Sequence, residues 1–259
     1  MTRIRRALPE DTPAIVELVK ASFHPRDLDM TVFGCLGFAE YLRGELSTAP
    51  AFAGSHHLVA ESEKELAGYV EMRKTPEGVW LNYVATAAPF RGRGVGGRLV
   101  QEALRSAGVK PGTLWQLDVF EANQTAYAWY RRLGFEPVAR GGFWRVQTTA
   151  RPESIGISGL AQADALQRIF GFSTFSVLCE GLSFTVGRLG PRWLRITDLA
   201  VLHHPGALAA LREFDPGREL LLSCAAEPVS SDRAVCCERL LATVRMRTVV
   251  PDIVDGELR

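Results

Sequence analysis

Arg91-Gly92-Arg93-Gly94-Val95-Gly96-Gly97-Arg98 is the stretch whose residue types point most directly to chemistry. It follows an apolar run over 79–86 and opens a pattern in which Leu99, Val100, Ala103, Leu104 and Ala107 recur at helical spacing. That order predicts strand, glycine-rich turn, helix. Glycines let the backbone turn freely and leave no Cβ to hold a ligand away. The first N–H groups of a helix have no partner within it and lie at the positive end of its dipole. With three arginines added, the stretch is a candidate seat for a phosphate or pyrophosphate. The lysine that ends a Walker loop is absent. A dinucleotide fingerprint fits only loosely, because the acid in range, Asp118, falls inside the next predicted strand.

A second cluster follows downstream: Asn123, Ala126, Trp129-Tyr130 and Gly134-Phe135. Together, in this order and separation, the two stretches resemble the GNAT superfamily of acyl-CoA-dependent N-acetyltransferases. The family's Arg/Gln-x-x-Gly-x-Gly/Ala loop is met by Arg91, Gly94 and Gly96, and its Asn-x-x-Ala…Tyr…Gly-Phe signature by the second cluster. The resemblance covers roughly residues 2–148. It implies a mixed, mostly antiparallel sheet flanked by helices, an α+β fold, and acetyl-CoA as co-substrate. It places the pyrophosphate on Arg91 to Arg98, that is Arg91, Gly92, Arg93, Gly94, Val95, Gly96, Gly97 and Arg98. The pantetheine arm would run along Val84, Ala85 and Thr86, beside a bulge that splays the sheet, and Asn123 would fix it near the helix start. Tyr130 matches the family's general acid, which protonates the departing thiolate.

The general base is the gap in this resemblance. Several relatives carry a Glu early in the strand before the loop, where this chain has Trp80-Leu81-Asn82-Tyr83. Glu71 on the neighbouring strand, Asp118, and water held by Asn82 are the candidates. His24 lies in the region expected to line the acceptor side, but a turn histidine beside proline reads more simply as structural. Two function classes follow: an N-acetyltransferase acting on a primary amine, and a non-catalytic acyl-CoA-binding or sensory module.

The elements that must position these residues are legible in outline. Strands are expected at 4–7, 57–61, 66–74, 79–86 and 114–120, with helices from Asp11 or Thr12, over 38–46 and after the glycine loop. Residues 23–38 read as irregular between two helices, and closing strands are expected near 137–139 and 143–148. Residues 151–154 read as a linker, which divides the chain into 1–150 and 151–259. Past it the order of elements repeats: a helix over 161–170, strands over 182–189 and 193–201, a helix over 208–213, a strand over 219–225, a helix over 232–240 and a strand over 241–249. Laid on the first half, Trp193-Leu194 falls on Trp80-Leu81, and Cys237 falls on Tyr130. The second half then reads as a degenerate GNAT-like lobe without the cofactor loop, with a smaller unrelated β-rich lobe as the alternative.

Composition sets bounds. The 259 residues exceed one ordinary domain, and 47% are hydrophobic. A net charge of +1 gives no reason to expect nucleic acid or a membrane surface as partner. No apolar run is long enough to span a bilayer, and no apolar core follows the first arginines as in a secretion signal. Cys35, Cys179, Cys224, Cys236 and Cys237 have neither disulfide nor zinc spacing, which points to the reducing cytoplasm. Cys236-Cys237 read as small apolar residues on the 232–240 helix. His203-His204 has no third ligand at a sensible spacing, so no metal is expected. Monomer and homodimer are both open.

Overall fold

The computed structural model describes residues 2–49, 54–63, 65–229, 232–251, 253–254 and 257–258. In chain order its main elements are β1 (Arg3–Arg6), α1 (Thr12–Lys20), α2 (Pro25–Leu28), α3 (Phe38–Ser47), β2 (Ser55–Ser62), β3 (Glu65–Thr75) and β4 (Gly78–Thr86). Then come α4 (Val95–Ser106), β5 (Leu114–Phe120), α5 (Gln124–Arg132), β6 (Glu136–Thr148), β7 (Gly156–Ser158), α6 (Leu160–Phe170) and β8 (Phe172–Cys179). The series continues with β9 (Leu182–Leu189), β10 (Trp193–Ile196), α7 (Pro205–Phe214), β11 (Glu219–Cys224) and β12 (Val235–Val249).

Contacts divide the chain into two compact units. Met1–His24, Ala39–Val138 and Arg245–Arg259 form one; Pro25–Phe38 and Ala139–Val244 form the other. This differs from a cut at residue 150. Most of β6 goes to the second unit, and the end of β12 goes to the first.

In the first unit β1, β2, β3 and β4 pair antiparallel in that order, and β4 pairs parallel with β5. The end of β12 closes this sheet beside β5. There Val250 N–H donates to the Thr113 carbonyl at 2.8 Å, and Gly112 N–H donates to the Val250 carbonyl at 2.8 Å. Helix α4 buries Val95, Leu99, Val100, Ala103 and Leu104, each large side chain contributing about 1.5–3 kcal/mol by leaving water. It comes down on β3 at Gly68, where an added Cβ would lie 2.8 Å from Leu99 Cδ1. The glycine is what permits that approach.

In the second unit β7, β8, β9 and β10 repeat the antiparallel series, and β10 pairs parallel with β11. Beyond β11 lie β6 and the first part of β12. At Gly142 a Cβ would overlap the Leu241 carbonyl, so glycine lets β6 fit between its neighbours. Arg145 on β6 bridges Glu219 on β11 at 2.7 Å and Glu238 on β12 at 2.8 Å. Trp144, Val146, Phe175, Phe184, Leu194, Leu208 and Leu220 build the core of this unit.

Several expectations need correction. The helix over 232–240 is absent: residues 235–249 form one strand. Cys236 and Cys237 therefore lie on a strand, and Cys237 is no counterpart of Tyr130. The apolar spacing there suits either state, and pairing along β6 decides it, since an edge left bare would strand backbone donors and acceptors. The two closing strands are one, Glu136–Thr148. The strand over 193–201 ends at Ile196 and gives way to a 3-10 turn at Leu199–His203. Residues 25–38 contain α2 and pack in the second unit, where Met30 and Cys35 meet Leu189, Trp193 and Leu221. Strands β7 and β8 fall where no element was expected.

Candidate active site

The site grows from a defect in β4. Glu71 on β3 faces Tyr83, but the next residue, Met72, faces Leu81. Asn82 is the extra residue of a bulge, which bends and twists the strand. The parallel register with β5 covers only Val79↔Trp115 and Trp80↔Gln116. From Leu81 to Thr86, then, β4 has no strand register with β5. The strand pairing of β4 with β5 thus ends before Val84, Ala85 and Thr86.

Beyond Thr86 the chain enters a short 3-10 turn, Ala88–Phe90, and then the glycine loop. Gly92 and Gly94 have φ of 72° and 73°, a left-handed conformation that other residues adopt at a cost. Nothing lies within 4 Å of where their Cβ atoms, or that of Gly97, would stand. At Gly96 a Cβ would come 3.4 Å from Thr86 Oγ1 and 3.6 Å from the Trp129 ring, so the loop lies close over the strand end. Gly94 caps α4 without a side chain, and the first intrahelical bond runs from Arg98 N–H to the Gly94 carbonyl, 3.1 Å. The N–H groups of Val95, Gly96 and Gly97 precede that ladder and sit at the positive end of the helix. Arg91 curls back to donate from Nε to the Thr86 carbonyl at 3.1 Å. Arg93 sits 6.0 Å over the Phe90 ring. Arg98 is exposed. This corner can take an anion of pyrophosphate size.

Tyr130 comes from α5 and lies near Tyr83. The helix is started by Asn123, whose side-chain oxygen accepts the Ala126 N–H at 3.1 Å, a cap typically worth about 1 kcal/mol. The Tyr130 ring packs against Trp129 at 4.9 Å and Phe135 at 5.8 Å between centroids, and the residue is 8% exposed. Burial, with a smaller effect from nearby Tyr83, raises its pKa. The phenol is neutral at physiological pH and able to donate.

On the other face of the sheet lies a row that sequence reading did not assemble. His57, Glu71 and Tyr83 face one another directly across β2, β3 and β4, and Tyr69 stands two residues before Glu71 on the same side. Tyr69 Oη lies 2.8 Å from His57 Nδ1. Tyr83 donates to the Val19 carbonyl at 3.2 Å and stacks on Phe23. Burial pushes the pKa of Tyr69 well up, raises that of Tyr83, and lowers that of His57. Glu71 is buried, and both Nε and Nη2 of Arg73 reach its Oε1, at 2.8 and 2.7 Å. The available signal was polar residues at period two on adjacent strands, but without the register nothing joins them.

The candidates thus separate. Val84 to Thr86, the loop and the start of α4 meet at one corner, and Tyr130 lies near Tyr83. Asn82 holds the bulge. Asn123 is exposed and acts as a helix cap. Asp118 is held by both Nε and Nη2 of Arg245, at 3.0 Å each, and Arg245 stacks over Trp80 at 4.9 Å. That carboxylate is committed to an ion pair. His24 is exposed, beyond the end of α1.

Residues 26–135 match the model of the acetyltransferase (GNAT) family. A protein of Pseudomonas phage PaMx11 named 5-NmdU N-acetyltransferase is 29% identical over 164 residues, 62% of this chain and 96% of that one. Among solved structures, the GCN5-related N-acetyltransferase from Sphaerobacter thermophilus superposes with a TM-score of 0.59 at 17% identity, covering 98% of this chain and 97% of its own. The tandem GNAT protein from the clavulanic acid biosynthesis pathway gives 0.63 at 13% identity over 96% and 98%. At these identities the structural likeness is one of fold, and it runs over nearly the whole chain. Residues 26–135 thus resemble the GNAT acetyltransferases, and the solved structures extend the likeness of fold to the rest of the chain.

Proposed function

We propose that the chain is an acetyl-CoA-dependent N-acetyltransferase acting on a primary amine in the cytoplasm. The observation that carries this is the early end of the β4–β5 pairing beneath a glycine loop at a helix N-terminus. Pyrophosphate sits on the N–H groups of Val95, Gly96 and Gly97, with Arg91, Arg93 and Arg98 around it. The pantetheine arm takes the missing strand's place along Val84, Ala85 and Thr86. Its thioester then lies at the bulge, and the amine arrives from the side of Tyr83 and Glu71.

The amine nitrogen bonds to the thioester carbonyl carbon, and a backbone N–H of β4 steadies the oxyanion. The C–S bond breaks, and Tyr130 gives the thiolate a proton. A phenol whose pKa is raised by burial is a reluctant acid toward a solvated thiolate. A thiolate released into the same dry site is itself deprived of water and more basic, so the two stay matched. The amine gives up its proton through water toward Glu71, since Asp118 is tied to Arg245. Most of the acceleration comes from holding amine and thioester together.

The second reading, a non-catalytic acyl-CoA-binding module, keeps one observation on its side: Glu71 is engaged by Arg73. Release of free thiol from acetyl-CoA across a panel of primary amines separates the two. The panel begins with the 5-NmdU of the phage relative's name. Thiol release that depends on one amine is expected. CoA binding without release over any amine supports the module instead.

A further inference from the structure

We propose that Glu153, Cys179 and His204 form a binding site in the second unit for a divalent metal of the zinc class. The three come from separate parts of the chain: the segment before β7, the last residue of β8, and the cap position of α7. Their ligand atoms lie within 4.8 Å of one another, a separation that small rotations bring to a tetrahedral shell. Cys179 Sγ is already 2.8 Å from Glu153 Oε1. Cys179 is 2% exposed, and Glu153 and His204 are half-buried.

Two further observations show that the chain is shaped around this group. Glu153 lies so close to Gly206 that an added Cβ there would stand 2.8 Å from its carboxylate. Glu153 N–H also donates to the Gly206 carbonyl at 3.3 Å, so both ends of the residue are held. Glu180 Oε2 lies 3.5 Å from His204 Nδ1, a carboxylate placed to orient the imidazole or to fill a fourth position.

The donor set chooses the metal. A thiolate and an imidazole disfavour magnesium and calcium, and one sulfur, one nitrogen and one oxygen suit zinc. Binding displaces the thiol proton to solvent and turns the Glu153 oxygen from accepting S–H to facing the ion. One thiolate and one carboxylate then balance the two positive charges, which suits a partly buried ion. Of the two adjacent histidines only His204 takes part, since His203 is exposed.

The test uses the full chain with Cys236→Ser and Cys237→Ser, so that neighbouring thiols on β12 do not contribute. Co²⁺ is titrated as the probe and then displaced with Zn²⁺. One equivalent of Co²⁺ is expected to give a thiolate-to-metal charge-transfer band with the intense visible bands of a four-coordinate ion. Zn²⁺ is expected to bleach both and raise the thermal midpoint. Adding Cys179→Ser is expected to abolish the charge-transfer band. His204→Gln, at a half-exposed position that keeps the fold, should weaken binding at least about 10–100-fold, the range for losing even an outer partner of a ligand. A parent chain with no band at one equivalent overturns the site whatever the variants do. So does a band that survives His204→Gln at unchanged affinity.

Discussion

Two crossovers in this chain do the same topological work with opposite results. In each, a strand runs into a helix and returns as a parallel neighbour: β4, α4 and β5 in the first unit, β10, α7 and β11 in the second. In the second unit the parallel register runs the length of β10, from Trp193↔Glu219 to Ile196↔Leu222. In the first it stops at Trp80↔Gln116, with four residues of bulged strand still to come before Ala85. The closed pair has no room for a third extended chain. The crossover helices also start differently: α4 behind left-handed glycines, α7 behind His204 with Pro205 as its first residue. Nor, among the described residues, does the second unit have a helix matching α5 between β11 and β12. The proposed cofactor slot therefore rests on the early end of the β4–β5 pairing, not on the crossover.

The sharpest way to break this comparison is Gly94→Glu. It forces a side chain into a φ of 73° and sets a negative charge on the loop proposed to seat the pyrophosphate. Calorimetry is expected to show one CoA site in the parent and none in the variant; two sites in the parent would show that the closed crossover also binds. Next in size is Tyr130→Phe, which keeps the ring's packing and removes the proton. The expected loss in kcat is about 10²–10⁴-fold at saturating acetyl-CoA. A change within about threefold, where chemistry limits the rate, would leave Tyr130 a packing residue.

A smaller effect sharpens the contrast between the sheet faces. The first unit buries His57 beside Tyr69, whereas β8 to β10 bury Phe175, Val177, Phe184, Val186 and Leu194. Burial lowers the pKa of His57. Below about pH 6.5, the unfolded value, the unfolded chain takes up a proton that the folded one refuses. Stability is full above that pH and falls as pH drops below it, by at most about 1.4 kcal/mol per pH unit for this group. Urea melts at pH 7.5 and 5.5 should show a shallower loss in His57→Gln. His56, whose pKa burial also lowers, leaves part of the slope. An unchanged slope would assign all of it elsewhere.

The smallest effect tests the strand that the first unit receives from β12. Arg245→Ala removes a pair whose side chains are 33% and 37% exposed. The expected cost is about 0.5–1 kcal/mol, shrinking in high salt. A loss that salt does not touch would point to the stacking of Arg245 on Trp80 instead.

What the residues disclosed, and what they hid, follows from how far each signal reaches. The glycine loop, α4, β5 and the Asn123 cap are local patterns, and each falls within a few residues of its expected place. The bulge at Asn82 is visible only once β3 and β4 are in register. The row of His57, Tyr69, Glu71 and Tyr83 needs three strands aligned. The fate of residues 235–240 turned on β6, nearly a hundred positions earlier: Arg145 and its partner Glu238 lie 93 apart. His204 found its companions at Glu153 and Cys179 for the same reason, through folding and not through spacing.

The last residues of β12 also set an order of events in the making of this protein. Asp118 and Arg245 are separated by 127 positions. A ribosome adding roughly 5–20 residues per second needs on the order of 6–25 seconds to pass from one to the other. Hairpins close in microseconds, so β1 to β5 can assemble long before their last neighbour exists. Throughout that interval β5 presents a row of unpaired backbone groups, the kind of edge that recruits strange strands. A nascent chain stalled before residue 245 already carries its glycine loop and Tyr130. It matures only when the closing strand leaves the ribosome, after nearly all of the second unit has been made.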